Sequence, residues 1–161
     1  MPITQKRLKE VLDYDPETGI FTWIADHYSS KAGNQAGTPN GRGYIRVGID
    51  GRRYCAHRLA WLFVTGEFPK NQIAHRNLIK SDNQWNNLRE ATGSQNKANR
   101  NLQSNNTTGV KGIYYIRARR CWRAEIVKDR KNYFLGHFQT KEEARAARRA
   151  MEPELFGEFA R

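Results

Sequence analysis

Ile73-Ala74-His75-Arg76-Asn77-Leu78-Ile79-Lys80-Ser81-Asp82-Asn83-Gln84-Trp85-Asn86-Asn87-Leu88-Arg89-Glu90-Ala91-Thr92 is the stretch on which the reading of this chain turns. From Gln72 to Asn101 apolar residues are sparse, while Asn, Asp and His are frequent. Such a segment cannot fold around much of a core of its own, so its polar side chains hold it for another purpose. A lone histidine is more often a structural residue than a reactive one, and His57 is read that way. His75 departs from that only through its company at fixed spacing. Asn83 and Asn86 read as turn formers and Asp82 as a maker of loop hydrogen bonds. Trp61 and Trp85 read as core.

Upstream, Thr4 is placed to cap a short helix, with Ile3 and Leu8 at the two positions of a hydrophobic staple. Leu8, Val11 and Leu12 give that helix one apolar face. Asp13 to Gly19 is turn chemistry, and Ile20 to Ile24 predicts a strand. Ile45, Val47 and Ile49 alternate with polar residues, Asp50-Gly51 supplies a two-residue turn, and Arg52 to Ala56 returns as the second arm of a hairpin. From His57 the period changes to that of a buried helix ending near Gly66.

Downstream, residues 101–108 are almost wholly polar and read as a linker. Gly112–Ile116, Trp122–Lys128 and Asn132–Phe138 are three strand candidates. Thr140 and Glu143 form a capping box opening a helix whose narrow apolar stripe is Ala144, Ala147 and Ala150 or Met151. Strand parity puts Trp122, Ala124, Ile126, Tyr133 and Leu135 toward that helix, and leaves the opposite sheet face open.

The charge balance names a partner. Lys and Arg number 28 against 16 Asp and Glu, for a net charge of +12. A strongly basic chain calls for a polyanion, because each neutralised phosphate releases condensed counterions. No early apolar run resembles a signal peptide, and no stretch approaches membrane-spanning length. Cys55 and Cys121 lie far apart without a Cys-x-x-Cys pair, so they read as reduced thiols and no zinc is expected. The expected setting is cytoplasmic, in a bacterial host cell. The expected partner is double-stranded DNA, with no membrane and no obligate protein partner.

With His57-Arg58-Leu59-Ala60-Trp61 upstream and Gln95-Asn96 downstream, the central stretch resembles the HNH endonucleases of bacteriophages over residues 44–100. The resemblance implies phosphodiester hydrolysis with a divalent metal, Mg²⁺ being the natural ion for an oxygen-lined site. It makes His75 the general base, since a neutral imidazole can take a proton from water. Asn87 matches the asparagine whose amide holds the histidine loop, and Asn96 the residue whose side-chain oxygen ligates the metal. Arg58 and Arg76, inside the motif, become candidate DNA contacts. The family's metal-binding aspartate falls at position 74, where this chain has Ala74. Alanine has no ligand atom, so the expectation is weak metal binding and severely slowed cleavage.

From Lys111 to Lys131 there are eight basic residues against two acidic, with Tyr114, Tyr115 and Trp122 interleaved. Cations for phosphates and rings for sugars or bases are the footprint of a nucleic-acid surface. Residues 108–161 also resemble the Apetala-two-type domain of plant ethylene-response factors, through Gly109-Val110-Lys111-Gly112-Ile113, Trp122-Arg123-Ala124-Glu125-Ile126 and Phe134-Leu135-Gly136-His137-Phe138. That resemblance implies a sheet entering the major groove, with Tyr114, Ile116, Arg123, Glu125, Asn132 and Phe134 toward DNA. Arg117, Arg119 and Arg120 join them as candidate contacts.

The expected fold is therefore α+β: a ββα-metal (HNH) nuclease core within residues 1–100, a linker over 101–108, and a small three-stranded antiparallel sheet with one packed helix over 109–161. The expected function is DNA cleavage, as a nick, because one site addresses one strand unless the protein dimerises. The rival readings are a non-catalytic DNA-binding protein on a decayed HNH scaffold and an RNA-binding module.

Overall fold

In the computed structural model, which describes residues 2–27, 30–100, 102 and 104–160, the chain begins with α1 (Gln5–Val11), capped as Thr4 Oγ1 accepts from the Arg7 N–H at 3.2 Å. Ile3 and Leu8 are both buried. The helix stops one residue earlier than its apolar face suggested, and the chain passes straight into β1 (Leu12–Asp15). Turn residues alone were expected from Asp13. Instead Leu12 and Tyr14 are buried while Asp13 and Asp15 are exposed, the alternation of a half-buried strand. β1 pairs antiparallel with β2 (Ile20–Trp23).

A three-stranded antiparallel sheet follows in the order β3 (Thr38–Pro39), β4 (Ile45–Ile49), β5 (Arg52–Cys55). Its hairpin turns at Asp50 and Gly51, both with positive φ, which matches the right-handed twist of the flanking strands. α2 (Ala56–Thr65) ends at a left-handed Gly66. Leu8, Leu12, Phe21, Val47, Ile49 and Leu59 fill the core between these elements. The polar stretch then forms two short strands, β6 (Gln72–His75) and β7 (Leu88–Ala91), which pair.

Two compact units emerge, the first ending at Glu90 and the second beginning at Ala91. The second opens with α3 (Gly93–Asn99), held by a capping box of Thr92 and Gln95. The Asp129 N–H donates to Ser94 Oγ at 2.7 Å and Lys111 Nζ to the Ala98 carbonyl at 2.6 Å, which binds α3 to the sheet of this unit. The polar segment 101–108 is thus internal to the second unit, and Asn101 and Gln103 within it lie outside the described residues.

That sheet is antiparallel, in the order β10 (Lys131–Phe138), β9 (Cys121–Lys128), β8 (Ile113–Ile116). α4 (Lys141–Phe156) opens with the Thr140–Glu143 capping box. Ile113, Ala124 and Ala144 form the buried centre, with Val110, Trp122, Leu135 and Phe138 packed around them. The helix stripe differs from the alanine row that spacing suggested. Its buried positions are Ala144, Arg148, Glu152 and Phe156, while Ala150 is exposed. Arg148 and Glu152 can occupy a buried face because they pair at 2.8 Å, and Arg148 also donates to the Glu125 carbonyl at 2.6 Å.

Candidate active site

His75 closes β6 and is buried. The loop that follows is folded by side-chain amides rather than by apolar packing. Asn87 Oδ1 accepts from the Asn77 N–H at 3.0 Å, and Asn87 Nδ2 donates to the Asp82 carbonyl at 2.8 Å. The Arg76 N–H donates to the Asn87 carbonyl at 2.8 Å. One asparagine therefore spans the loop and ties both of its limbs to the residues beside His75. Asp82 is engaged within the loop, accepting from Asn77 Nδ2 at 2.6 Å and from the Gln84 N–H at 3.1 Å.

The N-terminal hairpin braces the same loop. Tyr14 donates its hydroxyl to the Asn83 carbonyl at 2.7 Å, and the Trp85 N–H reaches the Pro16 carbonyl at 2.9 Å. Gly19 has φ +74°, and a Cβ there would stand 2.3 Å from Gln84 N. Only glycine lets the two backbones meet so closely.

Around His75 the side chains are aromatic and cationic. The His57 ring meets it edge to face with centroids 5.2 Å apart, and Tyr44 packs on both, at 5.3 Å from His57 and 6.0 Å from His75. Lys80 Nζ lies 5.1 Å over the Tyr44 ring. Burial pushes His75 below its ordinary range, partly countered by the facing Asn83 side chain and by the Asp82 charge, while Lys80 adds to the depression. Burial likewise drives His57 down to about 3, helped by repulsion from His75 once that ring is protonated and by the charges of Arg58 and Arg46. Both imidazoles are therefore neutral at physiological pH, and a neutral imidazole can accept a proton. His57, read from the sequence as a plain structural residue, belongs to the histidine cluster; so do Tyr44 and Asn83. The signal that could have found His57 is its place on the buried face of α2, where a polar ring needs a reason. Its Nδ1 is buried without a hydrogen-bond partner.

Ala74 is buried and offers only a methyl group. Among the described residues no group of three or more His, Cys, Asp or Glu could hold a metal ion. HNH nucleases generally use a divalent metal, and the residues present do not fit a hard cation such as Mg²⁺, which seeks carboxylate and other oxygen ligands. The nearby carboxylate, Asp82, is already committed to the loop. Arg76 is exposed just beyond His75, and Arg58 is half-buried with its guanidinium 5.6 Å from the Phe68 ring. Asn96 is half-buried on α3, where its N–H donates to the Thr92 carbonyl at 2.9 Å.

In the second unit, strand register gathers a polar and aromatic row on the sheet face away from α4. Tyr114 pairs with Arg123, and Phe134 with Glu125. Arg123 bridges to Glu125 at 2.8 Å, Asn132 Nδ2 donates to the same carboxylate oxygen at 3.1 Å, and the Arg123 guanidinium lies 5.1 Å from the Phe134 ring and 5.8 Å from the Tyr114 ring. Burial raises the Glu125 carboxyl, yet hydrogen bonds from Asn132, Tyr114 and Arg123 outweigh it and hold the carboxyl below its usual range. Ile116 sits at the end of β8 opposite the buried Cys121. Arg117 and Arg119 lie on a 3-10 turn before β9, followed by a left-handed Arg120, and all three are exposed off the sheet face. A bulge between Phe134 and Gly136 shifts the register, so that His137 joins Arg123 on the open face, a placement simple alternation missed.

Residues 54–98 match the family model described as HNH endonuclease, a span that includes His57, Ala74, His75, Asn87 and Asn96. These residues carry the likeness to an HNH endonuclease domain. The chain is also similar, with 31% identity over 122 residues, to a protein of Acanthamoeba polyphaga mimivirus named an uncharacterized HNH endonuclease. That similarity covers 74% of this chain, and the chain spans 63% of the relative's length. No solved structure matches. Among the described residues, no helix is long and apolar enough to cross a membrane.

Proposed function

We propose that this chain is a DNA-binding HNH endonuclease that directs phosphodiester hydrolysis to one strand of duplex DNA, with its chemistry at His75 and its DNA reader in the second unit. The observation that carries the reading is the His75 loop. A buried neutral imidazole stands on a segment spanned by the Asn87 side chain, inside the stretch that matches the HNH endonucleases. In this role His75 removes a proton from the attacking water, the new P–O bond forms as the scissile P–O bond breaks, and the leaving oxygen is protonated from solvent. Asn87 positions the loop. Residues 109–161, within the second unit, are an Apetala-two-type domain, the face of Tyr114, Ile116, Arg123, Glu125, Asn132 and Phe134 turned to the major groove. Arg58, Arg76 and the turn arginines Arg117, Arg119 and Arg120 take phosphates.

Ala74 limits the chemistry. Without a carboxylate beside His75 the chain as written binds DNA and cleaves it poorly. A second reading, a DNA-binding protein that has lost catalysis, is favoured by the same observation. Cleavage of duplex DNA by the chain and by Ala74→Asp, in saturating Mg²⁺, separates them. The nuclease reading expects the variant to be faster by orders of magnitude. Absent cleavage by both supports the binding protein, and equal cleavage by both would show that position 74 does not limit the chemistry.

A further inference from the structure

Gly48 sits in the middle of β4 and is needed there neither by conformation nor by packing. Its φ lies outside the left-handed range, and no atom stands within 4 Å of where its Cβ would be. Glycine inside a strand weakens it, and the remaining use of a bare backbone is the close approach of something else. What surrounds Gly48 says what that is. Register puts Gly48 opposite Arg53, and the next outward position of β4 is Arg46. With Arg42 on the β3–β4 connection, these arginines line a groove over the outer face of the β3–β4–β5 sheet, together with Thr38, Asn40 and Gly48; none of its described lining residues is acidic.

The carboxylate on the adjoining hairpin turn is already neutralised. Asp50, on the adjoining turn, pairs with Arg7 at 3.0 Å. Arg46 is laid across the face by donating from Nη1 to Cys55 Sγ at 3.2 Å. The rim is fastened to the histidine loop, since Lys80 Nζ donates to the Arg42 carbonyl at 3.0 Å and also covers Tyr44, the ring that packs on His57 and His75.

We infer that this groove is a second nucleic-acid site, in which a DNA sugar–phosphate backbone lies against the bare strand at Gly48 while Arg42, Arg46 and Arg53 neutralise its phosphates, and that it feeds the strand to the His75 loop. The inference rests on the DNA-binding reading above and gives the first unit a grip of its own, separate from the sheet of the second.

The test uses the full chain and duplex DNA, with affinity measured by fluorescence anisotropy across a salt series and folding followed by thermal melting. Arg46→Gln with Arg53→Gln should lower the magnitude of the log–log salt slope by about 2 units, near 0.9 for each phosphate contact. Gly48→Val keeps every charge and suits a strand. It should weaken binding at least tenfold at fixed salt with an unchanged or higher melting temperature, so it decides the matter even if the double variant fails to fold. Native affinity and slope in both sets of variants would overturn the groove while leaving the DNA reader intact. A native chain without salt-dependent DNA binding would overturn the functional reading, and the groove with it. Preference for duplex RNA over DNA would overturn the named occupant.

Discussion

In the first unit His75 stands on a loop fastened by side-chain amides, whereas in the second the exposed residues of the sheet are aligned by strand pairing. Asn87 alone makes two side-chain hydrogen bonds that close the histidine loop, and Tyr14 and Gly19 brace it from the N-terminal hairpin. Arg123, Glu125, Asn132 and Phe134 meet because β9 and β10 place them in register. The difference has a physical cause. A general base needs one ring held in one orientation, which directional hydrogen bonds provide. The reading face proposed for the second unit needs several side chains presented in a row, which the period of a strand supplies before contacts such as Arg123–Glu125 are added.

The contrast can be broken at either end, and the largest effect should come from the second unit. Arg148→Ala leaves Glu152 buried without its partner and removes the bond to the Glu125 carbonyl behind the proposed reading face. A loss of about 3–5 kcal/mol is expected in denaturant unfolding. Retention of native stability would show that neither the pair nor the Arg148 bond to the Glu125 carbonyl contributes to stability. In the first unit, Asn87→Ala frees the Asn77 N–H and the Asp82 carbonyl, for a loss of about 1–3 kcal/mol. In an Ala74→Asp background it should also cut cleavage far more than the stability change explains, because the base loses its orientation. Cleavage falling only in proportion to the folded fraction would demote Asn87 to a purely structural residue.

Acid should act mainly through the histidine cluster. The buried His57 resists protonation down to about 3, whereas an unfolded histidine takes its proton near 6.5. Below 6.5 the unfolded state therefore binds more protons, and stability falls as pH drops from 6.5 toward 3, by up to about 1.4 kcal/mol per pH unit. His57→Phe should flatten that decline in a pH series of melting temperatures; an unaltered decline would locate it elsewhere. The smallest effects belong to the turn arginines. Arg117→Ala, Arg119→Ala or Arg120→Ala should each lower the salt-slope magnitude by about 0.9, with melting temperature unmoved. An unchanged slope in the triple variant would remove the turn from the DNA surface.

The same contrast explains what could be read beforehand. Thr4, the Asp50-Gly51 turn, the Thr140–Glu143 box and the alternation through Trp122–Lys128 are local signals, and the elements they announce are present. Other features depend on contacts between distant residues. Tyr14 reaching Asn83 across 69 positions, and Arg148 made tolerable on a buried face by Glu152 and the Glu125 carbonyl, leave no mark in periodicity. The attachment of α3 to the second unit through Ser94 and Lys111 is of the same kind. So is the clustering of His57, His75 and Tyr44, which brings together α2, β6 and the residue preceding β4. Motif spacing singled out His75 and Asn87 as candidates, while the residues that enclose them carry no such signal.

The most direct measurement is the single-turnover rate of strand cleavage, in saturating Mg²⁺, for Ala74→Asp and for Ala74→Asp combined with His75→Ala. If His75 is the base, the first variant should exceed the chain as written by orders of magnitude and the second should lose that gain, with DNA affinity similar in all three. A gain that survives replacement of His75 would contradict the assignment of the chemistry to this loop.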